Sequence, residues 1–386
     1  MSAISLPGGV TGQTGRNSGI EALKLAAVCL IVFFHVLTRM CSDASRYMDG
    51  QLYQMLRSAT VRPDIFLTRL AGHFGQMGNY TFFVCSAWFL IDSGNWNRRK
   101  WFGMIVELWL LNIAILAVTL ALRGGELPFN KIFRSFFPTI FGNNWYMTAY
   151  IMFYPIHPLL NRLSGTMGRR ELLRLSLASA FIYFFVDFLL GDYLFASDFI
   201  CWLAVYFIMT YMKKYARVYC DDRRKNLIAL ATGAICWVGI ELALNLLGLR
   251  FDALHARQLY FRSDYNPFIL VMVFSAFNLA RQARLRSKAV NYLAGLSMLV
   301  YVLHDGMLVR QYMRPVLVNA FDLLAGNLSI IPFALILSAV VLLGAYAIAI
   351  LYDLLVRKSV TRLSSHLFEK AKGVYLKLED AVTGSK

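Results

Sequence analysis

The stretch GRNSGIEALKLAAVCLIVFFHV, residues 15–36, carries three ionisable side chains into the first apolar segment of the chain. Glu21, Lys24 and His35 share one face of a helix with about 3.6 residues per turn, and Lys24 and His35 are then roughly 16 Å apart along its axis. Each of these groups is costly against lipid, so the face must border a bundle interior or a watered cavity. The stretch therefore predicts a membrane helix that lines a functional site.

The composition of the 386 residues is that of an integral membrane protein. Hydrophobic residues make up 58% and charged residues 16%, and the mean hydropathy is +0.53. A soluble globule cannot present such a surface to water. We predict an all-α polytopic helix bundle, one domain over 1–386, with about ten transmembrane helices between about 20 and 353. The apolar stretches near or above the ~20 residues that cross a bilayer are 20–37, 72–91, 101–122, 145–163, 172–190, 195–212, 227–247, 267–280, 292–309 and 329–351.

Lys and Arg are distributed unevenly over the turns between these stretches. If the N-terminus is cytoplasmic, 26 of the 39 Lys and Arg residues fall on the inner side, which is the positive-inside pattern. We therefore predict both termini in the cytoplasm, with a short segment 1–19 before the first helix and a basic tail 354–386. The formal charge of +17 then reflects this bias and attraction to anionic lipid headgroups. The lipid bilayer is the expected partner, and nucleic acid is not expected.

The remaining polar composition gives no sign of a metal site or of a large soluble domain. No CxxC or CxxH pair occurs among the six cysteines, so neither bound metal nor a disulfide framework is predicted. The outer loops 39–71 and 123–144 are the only sizeable segments that we expect to be soluble. The chemistry is therefore expected within the bundle or at its two mouths.

A second histidine is predicted at the depth of the first. His304 and Asp305 belong to the ninth apolar stretch, which crosses from inside to outside like the first. Counted from the inner ends, His35 is about 15 residues in and His304 about 12, so at ~1.5 Å per residue both lie in the outer half. The two histidines are therefore predicted to line one pocket. The alternative is a buried histidine that only bonds a nearby backbone carbonyl.

Four motifs, in order along the chain, resemble those of the membrane acyltransferase family 3. The opening motif of that family has an acidic residue, then Arg, then His after ten intervening positions, and residues 16–35 resemble it with Lys24 in place of Arg. That change keeps the charge but loses the bidentate fork of Arg. Ala87 also stands where Gly is usual. The other similar segments are GNYTFFVCSAWFL at 78–90, NWYMTAYIMFYPIHPLLN at 144–161 and LSMLVYVLHD at 296–305.

The resemblance covers essentially the whole chain and implies an O-acetyltransferase-like enzyme. Such an enzyme moves an acyl group, usually acetyl from cytoplasmic acetyl-CoA, to a hydroxyl of a cell-envelope or exported glycan. The location implied is a bacterial inner or plasma membrane, and the acceptor is a glycan or a lipid-linked sugar. No metal is implied.

Roles for individual residues follow from this reaction. His35 is expected to act as the general base or as a transient acyl carrier, with Glu21 and His304 as further catalytic residues. Lys24 and Arg16 are expected to meet the anionic CoA, although Lys24 could instead only pair with Glu21. The residues expected to contact the acceptor are Trp145, Tyr150, Ser86 and Asp305.

Two other classes of function stay open on the sequence. A bundle with buried charges could export a glycan or its precursor without covalent chemistry. A structural or regulatory partner in a glycan-synthesis complex would use the same polar residues only for packing. The effect of changing His35 alone separates catalysis from packing.

Overall fold

The computed structural model describes residues 16–40, 62–186, 198–257 and 266–383, and all regular structure in these ranges is helical. Short π-helical segments cover Val36–Met40, Phe181–Val186 and Val309–Met313. The α-helices are α1 Ser18–His35, α2 Pro63–Ala71, α3 Phe74–Leu90, α4 Arg98–Leu122, α5 Phe129–Phe136, α6 Trp145–Thr166, α7 Arg169–Ala180, α8 Asp198–Tyr215, α9 Arg217–Asp221, α10 Arg223–Gly248, α11 Asp252–Arg257, α12 Pro267–Gln282, α13 Lys288–Gly295, α14 Ser297–Asp305, α15 Arg314–Ala325, α16 Ile330–Leu355 and α17 Arg357–Thr383.

Four helices in the described ranges are long and apolar enough to cross a membrane. The other predicted stretches contain helix as well, but those helices are shorter or interrupted: α3 has 17 residues, α12 has 16, and α6 contains two prolines. The all-helical architecture with membrane-spanning helices is confirmed, whereas ten spans and cytoplasmic termini remain predictions. The four candidate spans are Ser18–Thr38, Arg98–Leu122, Arg223–Gly248 and Ile330–Leu355.

The ninth predicted stretch, 292–309, is not one continuous helix. α13 ends at Gly295, α14 ends at Asp305, and Gly306 adopts an extended backbone conformation with φ −63° and ψ 151°. A Cβ atom on Gly306 would lie only 3.0 Å from the Val302 carbonyl oxygen, so glycine suits this close turn. Irregular backbone at membrane depth is tolerated where it lines a cavity inside the protein. The break directly follows His304 and Asp305.

The outer segment 123–144 is also not the soluble loop that the sequence predicts. The indole Nε1 of Trp109 in α4 donates to the carbonyl oxygen of Phe136 at 3.0 Å. Trp109 lies 11 residues, about 16 Å, from the start of α4, so α5 reaches the middle of a membrane-spanning helix. Its phenylalanines face outward, with Phe129 79% exposed. The expectation fails because this segment folds back along the bundle.

Helix α1 lies at the centre of the bundle. It packs against α3, α12, α13, α14 and α16. Its crossing with α3 is close: a Cβ atom on Gly78 would lie 2.3 Å from Ile31 Cγ1 and 2.8 Å from the Ala27 carbonyl oxygen. Glycine at that point lets the two backbones approach. Asn17 caps the inner end of α1 with its side-chain oxygen, so the helix that carries the predicted site is held by protein on several sides.

Candidate active site

The two predicted catalytic histidines contact each other inside the bundle. Nδ1 of His35, at the end of α1, lies 3.0 Å from Nε2 of His304 in α14, and the ring centroids are 5.2 Å apart. Both side chains are buried. The structure thus brings together the two rings that the sequence predicts at similar depth, although only His304 is among the side chains that line the cavity.

The hydrogen bonds of the pair assign the protons on its nitrogens. His304 Nδ1 lies 2.7 Å from the carbonyl oxygen of Val300, and a carbonyl only accepts, so Nδ1–H is the donor. In the neutral ring His304 Nε2 is then an acceptor, and the proton between the two rings sits on His35 Nδ1. In the neutral His35 ring, Nε2 then carries the lone pair and can accept a proton.

Asp305 faces that nitrogen. Its Oδ2 lies 3.6 Å from His35 Nε2, and its Oδ1 lies 3.9 Å from Nε of Arg310. The carboxylate is buried and therefore stabilises a positive charge on the histidine pair strongly. Asp305 is thus placed against the histidines, and its predicted contact with an acceptor is not the contact that the structure describes.

A cavity runs along α1 from Lys24 towards the histidine pair. It encloses about 90 Å³ and is lined from α1 by Lys24, Val28 and Ile31, with His304 at the far end. These α1 residues follow the helical spacing of one face, on which His35 is the next member. Most of the remaining lining is aromatic, methionine or hydroxyl side chains: Phe82, Tyr146, Tyr150, Tyr301, Met104, Met147, Met298, Ser86 and Ser297.

The predicted acceptor residues divide into two groups. Ser86 and Tyr150 line the cavity. Trp145 is half-buried and stands edge-on to the ring of Tyr146, with centroids 5.6 Å apart. Tyr146 and Tyr150 of this motif line the cavity, whereas Trp145 is not among the lining side chains.

The predicted donor residues and Glu21 form an ion cluster at the N-terminal end of α1. Glu21 Oε1 lies 3.3 Å from Lys24 Nζ and 3.2 Å from Nη2 of Arg16. Glu21 is 14 residues from His35, about 21 Å along the helix, so the two cannot act on the same reacting atom. The structure corrects the grouping of Glu21 with the histidines and places it between two cations instead.

Several lining residues were missed by sequence reasoning, although two carried a readable signal. Ser297 and Tyr301 precede His304 by seven and three residues, a spacing that puts them on one face of a helix. The Tyr301 hydroxyl oxygen also accepts a hydrogen bond from the backbone N–H of Tyr146 at 3.4 Å, a contact that only the fold brings about. Arg310 reaches Asp305 only because the helix breaks at Gly306, which the apolar pattern does not indicate.

Comparison with known protein families identifies the class of protein. Residues 17–350 match the acyltransferase family 3 model, which is described as an acyltransferase domain. The chain therefore belongs to acyltransferase family 3 and is an acyltransferase of this family with membrane-spanning helices. No curated protein matches the chain, and no solved structure does.

Proposed function

We propose that the protein transfers an acetyl group from cytoplasmic acetyl-CoA to a hydroxyl of a cell-envelope or exported glycan. The observation that supports this most is the contact of His35 with His304 at the end of a cavity that begins at Lys24. Acyl transfer to a weakly acidic hydroxyl needs a base of near-neutral pKa at the reacting centre, and histidine supplies it.

The histidine pair is proposed to act as one general base. The acceptor hydroxyl gives its proton to the pair while its oxygen attacks the thioester carbon, and Asp305 stabilises the resulting positive charge on the rings. The tetrahedral intermediate then expels the CoA thiolate, which takes the proton and leaves as the thiol. In the carrier alternative, Nε2 of His35, the nitrogen without a proton in the assignment above, attacks the thioester first and passes the acetyl group on. His304, which lines the cavity, accepts the hydrogen bond from His35 Nδ1.

The donor is proposed to enter from the inner end. Arg16 and Lys24 outnumber Glu21, so the cluster has a net positive charge there. Lys100 in α4 is close enough to Lys24 for the two charges to repel. An anionic phosphate of CoA would relieve this repulsion. The cavity of about 90 Å³ has room for a short acyl group and a few waters, since one water needs roughly 10–15 Å³ of such space.

The acceptor is proposed to bind against the tyrosines of the cavity. Tyr146, Tyr150 and Tyr301 offer flat faces on which a sugar ring can stack and hydroxyls that can bond to it. A lipid-linked sugar is compatible with this site because the protein has membrane-spanning helices. The location proposed is the inner or plasma membrane of a bacterial cell.

The proposal is tested by mass spectrometry of envelope glycans. The cells lack the chromosomal gene and carry a wild-type or variant copy on a plasmid. The wild-type copy should restore an acetyl mass increment, and a copy with His35→Ala should not, since loss of a positioned acid–base group costs ~10²–10⁴ in rate. His157→Ala is the matched control: this histidine is also fully buried but bonds only to the Tyr154 carbonyl among the contacts described. Full acetylation by His35→Ala at normal protein level would contradict the proposal and favour transport or packing.

A further inference from the structure

Helix α6 begins inside the bundle, at the depth of the histidine pair. Asn144, the residue before its first turn, bonds to Asn112 of α4, which is 14 residues and about 21 Å from the start of that helix. The backbone nitrogen of Tyr146 lies 3.4 Å from the Tyr301 hydroxyl, so the start of α6 borders the helix that carries His304. The N–H groups of a first helical turn have no partners within the helix and carry partial positive charge.

The orientation of the Asn144 amide follows from its neighbour. Nδ2 of Asn112 donates to the carbonyl oxygen of Leu108 at 2.9 Å and to Oδ1 of Asn144 at 3.0 Å. Because the Leu108 carbonyl can only accept, the donating atom of Asn112 is its NH₂ group. Asn144 must then present its oxygen to Asn112, and its own NH₂ group points away from that bond.

That NH₂ group is buried and has no hydrogen-bond partner among the described residues. Asn144 is 1% exposed, and its Nδ2 makes no hydrogen bond there. It does not cap α6 with its side chain, which is the usual role of asparagine at this position. A buried donor without a partner lowers the stability of the folded protein. This cost points to a donor that receives its hydrogen-bond partner when a substrate binds.

The unpartnered donor faces the break after the catalytic residues. Nδ2 of Asn144 lies 3.6 Å from the position that a Cβ atom would take on Gly306. Gly306 follows His304 and Asp305 directly, and its lack of a side chain leaves the amide room beside them. The unpartnered donor and the start of α6 therefore adjoin the break that directly follows His304 and Asp305.

We infer that Asn144 is a catalytic residue whose amide, at the start of α6, stabilises the oxyanion of acyl transfer. This inference rests on the proposed function. When the acceptor oxygen bonds to the thioester carbon, the carbonyl electron pair moves to its oxygen, which becomes an anion held by Asn144 Nδ2–H. When the pair returns and the C–S bond breaks, the CoA thiolate takes the proton from the histidine pair. Preorganised donors of this kind act mainly on the transition state.

The experiment compares kcat and KM for acetyl-CoA in purified wild type, Asn144→Asp and Asn144→Ala. Asn144→Asp keeps the oxygen that Asn112 needs, replaces the N–H donors by a second oxygen and adds a negative charge that opposes the oxyanion when the carboxyl group is ionised. We expect kcat to fall by ~10²–10³ in both variants, with KM within about threefold of wild type, which is the signature of a contact made in the transition state. Asn143→Ala is the control, because Asn143 is equally buried and its amide bonds to the Arg134 carbonyl in the preceding segment.

Three outcomes separate this inference from the proposed function. If the wild type transfers acetyl and Asn144→Asp keeps its kcat within about threefold, the inference is overturned and the proposed function stands. If the wild type transfers nothing, both are overturned. If the Asn144 variants do not accumulate, the variant Asn112→Ala tests the inference instead. It leaves residue 144 unchanged and frees the Asn144 amide to rotate. A fall in kcat of about tenfold supports the inference, and an unchanged kcat overturns it.

Discussion

The substitution Lys24→Met tests whether Lys24 binds the acyl donor or only neutralises Glu21. Lys24 lines the cavity and lies 3.3 Å from Glu21. Glu21 keeps a second partner, because Arg16 lies 3.2 Å away and is itself held by the Asn291 carbonyl. Loss of Lys24 therefore does not leave Glu21 as an uncompensated buried charge. Breaking a buried ion pair by removing one partner costs roughly 3–5 kcal/mol of folding free energy, and we expect Lys24→Met to cost less.

The effect on donor binding should be larger than the effect on folding. One charge-assisted bond to a phosphate contributes about 1.5–3 kcal/mol, and each 1.4 kcal/mol is about tenfold in affinity. We expect Lys24→Met to raise KM for acetyl-CoA by about tenfold or more with kcat nearly unchanged, and Lys24→Arg to keep KM near wild type. The assay is the dependence of acetyl transfer on acetyl-CoA concentration in membranes that contain equal amounts of each variant.

The double variant Glu21→Gln with Lys24→Met can refute the donor-binding role of Lys24. If Lys24 only neutralises Glu21, removal of both charges should restore what the single change loses. If Lys24 contacts the donor, the double variant should keep the high KM, because Arg16 remains fixed at Asn291. Recovery of a wild-type KM in the double variant would show a purely structural ion pair, and the donor role of Lys24 would have to be withdrawn.

Three further changes test other parts of the account. Asp305→Asn keeps the volume but removes the charge 3.6 Å from His35. At an effective dielectric constant of about 20 the lost attraction is at most about 4–5 kcal/mol. We expect kcat to fall by ~10² or more, and a rate equal to wild type would exclude Asp305 from catalysis. Reporter fusions after Lys225 should read cytoplasmic and those within 250–266 external; a cytoplasmic signal from the latter would refute ten spans. Arg357→Met should lower the thermal unfolding temperature in detergent, because it removes a cation 3.6 Å from the buried Glu107 carboxylate, and an unchanged temperature would show that the pair contributes nothing.

The parts of the structure that follow from hydrophobic length and depth were predictable from sequence. Apolar stretches give helices because the backbone must satisfy its own hydrogen bonds in lipid. His35 and His304 meet because each lies a similar number of residues above the inner end of a helix with the same direction. The stripe of Lys24, Val28 and Ile31 on the cavity follows from the period of the α-helix.

The parts that depend on local breaks and on neighbouring helices were not predictable. The turn at Gly306 interrupts an apolar run that reads as one span, and Arg310 approaches Asp305 only because of it. Asn144 enters the sequence analysis only as the first residue of a motif, and its orientation is set by Asn112, a residue 32 positions earlier. Glu21 shares a helix face with His35 but lies about 21 Å from it along α1, between the cations Arg16 and Lys24.

The most direct test of the central claim is transfer of labelled acetyl by the purified protein in lipid nanodiscs. Membrane glycan precursors extracted from the deletion strain serve as acceptor, and free CoA thiol is measured beside the label in the glycan. The account predicts equal amounts of thiol released and acetyl transferred by the wild type, and a loss of both by ~10²–10⁴ in His35→Ala and in His304→Ala. Undiminished transfer by either histidine variant, at wild-type folding and donor binding, would contradict the account.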